Sequence, residues 1–270
     1  MTQSVRTVWQ YRGLIGNFAN REIKGKYKGS LLGSAWSLIN PLATLAIYSL
    51  VFGFIIKFPT PVAGNGSLTS FTVYLFTALV VWNFFQSVTT SGMGALVTAG
   101  PLLRKIYFPP FAPVIGSAGA VLNQTAIEFG LLFVLYLVVQ NISWTFLLVP
   151  VLLVLLSMFC LGLGLILSIA NARYRDVSYI VSVLMSLLFY LSPIIYPISL
   201  VTDLYDEHSW LRLYEYNPIT AFIEAFRSAL WHLEFPGWGE LAYLAAISIL
   251  ALVGGWTFFQ RKSADVSEEL

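Results

Sequence analysis

Glu128 stands inside an apolar stretch, residues 111–139, together with the neutral polar residues Asn123 and Gln124. An ionisable group among apolar residues is costly to hold and ordinarily faces protein or water. The patch therefore reads either as a working part of a transport path or as a hydrogen-bonded structural carboxyl, and no chain of acids and bases accompanies it to carry protons. A second chemistry lies in the aromatic residues, 16% of the chain. Tyr48, Phe52, Tyr74, Trp82, Tyr179, Phe189, Tyr190 and Tyr196 recur within or near the ends of apolar stretches. Flat rings with a polar edge suit sugar rings, which offer C–H faces and hydroxyls, although such a residue serves equally as packing. Other chemistries have no residues to carry them. Gly25-Lys26 is followed by Tyr27, so there is no GxxxxGK[ST] phosphate loop. His208 and His232 lack metal-ligand spacing, no GxSxG or HExxH occurs, and the single Cys160 in an apolar run excludes a disulfide within one chain.

The elements that position these residues are membrane helices. Of 270 residues 57% are hydrophobic and 10% charged, too few charges to cover a water-soluble globule. A crossing needs about 20 mostly apolar residues, and 34–57, 70–91, 111–139, 145–170, 177–199 and 240–260 meet that test. The expected fold is an all-α membrane protein with six spans. Residues 1–33 form an interface segment and 34–270 the spanning unit. The near-balanced charge of +2 argues against nucleic acid as a partner. No segment of signal-peptide character precedes the first span.

Lys and Arg set the orientation. Arg6, Arg12, Arg21, Lys24, Lys26, Lys28, Arg104, Lys105, Arg173, Arg175, Arg261 and Lys262 fall on one side. Only Lys57, Arg212 and Arg227 fall on the other, so both termini are expected in the cytoplasm. The outer segment, about 200–239, holds Asp203, Asp206, Glu207, Glu215, Glu224 and Glu234 but is too apolar for a solvated loop. Between Pro218 and Trp231, Phe222, Ala225, Phe226, Ala229 and Leu230 share one side of a helix that Pro218 is suited to start. A helix pair dipping into the outer leaflet is the expectation. Before the first span, Arg6, Gln10, Asn17, Asn20, Arg21, Lys24 and Lys28 share about a third of a helical circumference. Val5, Val8, Trp9, Ile15, Phe18, Ala19 and Ile23 lie elsewhere, while Arg12 and Lys26 break the pattern. This segment is an amphipathic surface helix, either a lipid-attracting flank or a gate. Gly29 and Gly33 have the spacing of a close helix contact, and Asn40-Pro41 should bend the first span and free a backbone carbonyl.

Several runs resemble a known family. They are Arg21-Glu22-Ile23-Lys24-Gly25-Lys26-Tyr27-Lys28-Gly29-Ser30-Leu31-Leu32-Gly33 with Trp36-Ser37-Leu38-Ile39-Asn40-Pro41-Leu42, then Ala172-Arg173-Tyr174-Arg175-Asp176-Val177. Leu191-Ser192-Pro193-Ile194-Ile195-Tyr196-Pro197 and Asn217-Pro218-Ile219-Thr220 follow in the family's order. Together they are similar to the permeases of ABC transporters for polysaccharide export, the partners of O-antigen, capsule, teichoic-acid and mycobacterial galactan exporters. The resemblance implies a homodimer in the bacterial inner membrane above a separate ATPase, which would bind ATP and Mg while this chain binds no cofactor. It assigns ATPase coupling to a helix in the loop Gly92 to Pro113, with Arg104 and Lys105, and to Arg173, Arg175 and Asp176. It makes Trp9, Arg21, Lys24 and Lys28 parts of a gate helix, and lines the conduit for a lipid-linked polysaccharide with aromatics of the first, second and fifth spans.

Readings of other kinds stay open. An ABC permease for a drug or small lipid is the nearest. A membrane-embedded transferase would need paired acids or a histidine site at one membrane face, and a stand-alone channel leaves the two compact basic loops unexplained.

Overall fold

The computed structural model describes residues 2–57, 60–66, 68–204 and 208–269. Pro59, Asp206 and Glu207, and the side chain of Val5, lie outside the described residues. The described elements are all helical. Two short helices, α1 (Thr2–Gln10) and α2 (Arg12–Lys26), precede α3 (Trp36–Tyr48), which continues as wider π-helical turns over Ser49–Ile55. Then come α4 (Phe71–Leu103), α5 (Phe111–Val138), α6 (Val149–Arg173), α7 (Val177–Leu191), α8 (Ser199–Thr202), α9 (Pro218–Arg227) and α10 (Trp238–Glu269).

Five stretches are long and apolar enough to cross a membrane: Gly33–Ile55, Phe71–Leu103, Phe111–Val138, Trp144–Arg173 and Trp238–Ser263. The stretch expected as the fifth crossing is shorter. Its helix, α7, has 15 residues, about 22 Å at the α-helical rise. It stops because Pro193 forces the preceding Ser192 into extended backbone, φ −110° and ψ 149°. The second span is longer than the sequence indicates. Residues 92–103, read as the start of a loop, continue α4, and only 104–110 link it to α5.

α4 is the axis of the bundle, with 78% of its most apolar window buried against 11% for the first span. It packs on α5, α6 and α9, while α6 also lies along α10. Glycines permit these approaches. A Cβ on Gly92 would stand 3.2 Å from the Cα of Gly164, and one on Gly162 would overlap the backbone of Ala251. Gly29 and Gly33, by contrast, have φ of +79° and +52° with nothing within 4 Å, so they are turn residues and not the close helix contact their spacing suggested. α3 and α7 are the loosest members, and both leave apolar faces uncovered.

Candidate functional site

The amphipathic segment is seated on the bundle and bends at Tyr11, between α1 and α2. Val8, Tyr11, Leu14, Ile15 and Phe18 pack on a buried cluster that includes Leu96, Phe111 and Ala112. Phe18 meets Phe108 at 5.4 Å and Tyr11 meets Phe111 edge-on at 6.2 Å. The approach is set by Gly116 of α5, where a Cβ would come within 2.6 Å of the Phe18 Cβ. Arg21, Lys24 and Lys28 stay exposed. Trp9, expected on the apolar side, is also exposed, with the Arg12 guanidinium 4.9 Å above its ring.

Beyond α2 the polar patch of α5 becomes a joint between four elements. Pro41 has no N–H to offer the carbonyl four residues before it, which belongs to Ser37. Gln124 Nε2 donates to that carbonyl at 2.8 Å and to Glu128 Oε1 at 3.1 Å. Its Oε1 accepts from Lys26 Nζ and Tyr27 Oη, each at 3.4 Å. Glu128 is buried, and its Oε2 accepts from Asn83 Nδ2 of α4 at 3.4 Å. Asn123 is exposed toward a cavity of about 640 Å³ that Tyr27, Ser87 and Thr90 also line.

The opposite end of the bundle holds Arg227. It was counted with the outer charges, and it is fully buried, on α9. Its Nη1 bonds Glu224 at 2.9 Å and the Pro193 carbonyl, Nη2 donates to the Ile194 carbonyl at 2.9 Å, and the guanidinium lies 3.9 Å over the ring of Tyr74. Arg227 thus ties α9 to the turn that ends α7. The only advance signal was its place in the run Phe222 to Leu230, three residues after Glu224. After α9 the helix widens into π turns over Ser228–His232. The carbonyls of residues 229–231 are taken by Thr145 Oγ1 at 2.6 Å, by Asn141 Nδ2 at 3.0 and 3.1 Å, and by the Gly64 amide at 2.9 Å. Irregular backbone at depth requires partners of this kind.

The aromatic residues separate into two sets. Tyr74 and Trp82 are buried inside the chain, Tyr74 between Arg227 and Trp231 and Trp82 against Phe85 and Phe189, so neither presents a free face. Tyr48 and Phe52 stack at 5.8 Å on the loosely held first span, half-buried. Phe189 stands edge-on to Tyr190 at 5.2 Å, and Tyr179 and Tyr190 are 74% and 69% exposed. Tyr196 is half-buried, its hydroxyl donating to the Tyr190 carbonyl at 2.9 Å and paired with the Tyr214 hydroxyl at 2.7 Å. Burial, together with that bond, pushes the Tyr214 hydroxyl up from its ordinary pKa, so it stays protonated.

At the end of the bundle that carries α2, Arg104 and Lys105 are exposed. No separate helix forms there. The projecting residues of that turn are Ile106, 54% exposed, and Tyr107, 97% exposed; reading only the charges of this loop missed them. Arg173, the last residue of α6, and Arg175 and Asp176 in the link to α7 are exposed. Arg175 and Asp176 form no ion pair, and the Arg173 guanidinium lies 5.6 Å from the Tyr174 ring. Leu103 and Ala172 join the same cluster as α2, so the two loops sit at one end of the molecule.

The sequence has relatives among known proteins. The O-antigen export system permease protein of Myxococcus xanthus is 29% identical over the full length of both chains. A protein of the same name from Klebsiella pneumoniae is 28% identical, over 87% of this chain and 84% of its own. The polysialic acid transport protein of Escherichia coli is 24% identical over 90% of each. Residues 14–231, from α2 through the π turns after α9, match the ABC-2 type transporter family across most of the bundle, and the chain belongs to that family.

Proposed function

We propose that two copies of this chain form the path by which a lipid-linked polysaccharide crosses the bacterial cytoplasmic membrane, driven by a separate ATPase that holds ATP and Mg. The relatives named above export O-antigen or transport polysialic acid, which supports the substrate class. The observation that carries the reading is the aromatic surface of the first span and of α7, the two least covered apolar stretches, where Tyr179 and Tyr190 are exposed and Tyr48, Phe52 and Phe189 are half-buried. A two-fold pair turns such faces toward each other and encloses a path that one bundle cannot. Rings along it offer a sliding chain stacking without the trapping that buried charges would cause. In this reading α7 and the turn after it complete the fifth of six crossings, and α9 with its π turns is a re-entrant element of the outer leaflet. Both termini and the basic loops then face the cytoplasm and the ATPase.

Alanine at Tyr179 and Tyr190 together tests the path. Each is exposed in the lone protomer, so truncation should cost little stability. Stacking worth about 0.5–1.5 kcal/mol per ring should be lost, lowering export per folded permease severalfold. Unchanged specific export of the polysaccharide would remove these rings from the path. Orientation and docking share a second test. A cysteine at Tyr107 should resist a membrane-impermeant thiol reagent in intact cells, react in inverted vesicles, and become protected when the ATPase binds. Labelling from outside would reverse the topology, and no protection by the ATPase would place its contact elsewhere.

A further inference from the structure

We propose that Gln124 is the lock of a hinge in the first span, holding α3 in place at Pro41 and passing the position of the amphipathic helix to it. The inference deepens the transport reading above and rests on it for its purpose, but its geometry stands apart from any substrate. Three observations converge on one carboxamide. The first is the hinge itself: Pro41 leaves the Ser37 carbonyl without its helical partner, and Gln124 Nε2 of α5 takes that carbonyl at 2.8 Å. The second is how little else restrains α3, of which only Ser37, Pro41 and Leu45 are buried. The third is the sharing of the carboxamide. Its second donor contact goes to Glu128, which Asn83 of α4 fixes, and its oxygen is held by Lys26 and Tyr27 at the end of α2.

A shared carboxamide of this kind makes two elements interdependent. When α2 shifts, Lys26 and Tyr27 leave Oε1, the side chain loses the contacts that aim its amide at Ser37, and the span is released to swing about Pro41. Glu128 is a positioning residue in this device. It orients Gln124 from below and, bonded to both Gln124 and Asn83, keeps the amide edge toward the hinge. The contacts of Gln124 all lie within the chain, so the lock does not depend on what is exported.

Suppression genetics combined with a distance measurement tests the lock in the full chain. Spin labels are placed at the exposed positions Ile47, beyond the hinge on α3, and Val138 on α5. Gln124→Leu should broaden the distance distribution and lower export per ATP hydrolysed about tenfold, the scale of one buried acceptor left unpaired. Gln124→Met keeps the length of the side chain but has no donor, and should behave as the leucine does. Alanine at Pro41 restores the missing N–H, so Pro41→Ala combined with Gln124→Leu should narrow the distribution again. A narrow distribution in either single variant overturns the proposal, as does equal broadening with and without Pro41→Ala. Broadening and suppression as expected, in a permease that moves no polysaccharide, would leave the lock standing and sink the substrate reading.

Discussion

Arg227→Leu is expected to remove most of the folded permease from the membrane. The guanidinium is fully buried and joins a carboxylate, two carbonyls and a ring face. Leucine would leave the Pro193 and Ile194 carbonyls without those donors and Glu224 without its counter-charge. Breaking a buried pair from one side costs about 3–5 kcal/mol, because the desolvated partner remains. That is a large share of the stability of an ordinary domain, about 5–15 kcal/mol. Arg227→Lys should recover only part of the loss, since one ammonium cannot reproduce the planar fork that reaches Glu224, Pro193 and Ile194 together. Glu224→Gln should be the mildest of the three. Its side chain is 20% exposed, and the amide oxygen still accepts from Nη1. Melting in detergent and the amount of permease in the membrane measure the series. A melting temperature for Arg227→Leu equal to the unsubstituted chain would show that the clamp carries no stability.

The case of Arg227 shows where the sequence stops short. The apolar run from Pro218 to Trp231 indicated a helix but not that Arg227 would be buried within it, because composition reports what a residue is and not what is folded over it. The spans themselves were legible, since run length and the absence of charge are local properties. α7 is the exception: a proline after its fifteenth residue decided its length, while the apolar character runs on to residue 199. The carbonyl freed by Pro41 was likewise legible from one residue. Its remedy was not, because Ser37 and Gln124 lie 87 positions apart and only the packing of α5 on α3 brings them together. Glycine was the least legible residue. Gly29 and Gly33 have the right spacing and no neighbour, while Gly92 and Gly164 sit in different helices and meet. The small residues after position 91 looked like a loop for the same reason. Among the aromatics, Tyr74 and Tyr190 are equivalent in sequence, yet one underlies a buried cation and the other is open.

Leucine at Gly116 is expected to abolish export while leaving the bundle folded. A Cβ at this position would stand 2.6 Å from the Phe18 Cβ, 3.0 Å from the Ile15 carbonyl oxygen and 3.3 Å from the Ala19 amide nitrogen. These are parts of α2 close to its axis, not flexible side-chain tips, so α2 itself must move. It can do so at small cost to the rest. No residue of α2 is fully buried, and the link to α3 contains Gly29 and Gly33 in open turns. Within α5 the change favours the helix by about 0.8 kcal/mol, the usual gain over glycine. Overpacking against α2, about 1–3 kcal/mol, is relieved by displacing it. Displacement withdraws Lys26 and Tyr27 from Gln124 and frees the first span, so the two ends of the joint fail together. Gly119→Ala is the matched control. Its Cβ would lie 3.4 Å from the Ala19 Cβ, an ordinary contact, and export should be near normal. The measurements are export, ATP turnover, detergent melting, and modification of a cysteine at Phe18, which packing on Phe108 should shield in the unsubstituted protein. Loss of export with a reactive Phe18 position and an unchanged melting temperature is the expected pattern. Normal export by Gly116→Leu with that position still shielded would show that the seat of α2 on α5 is not what controls the path.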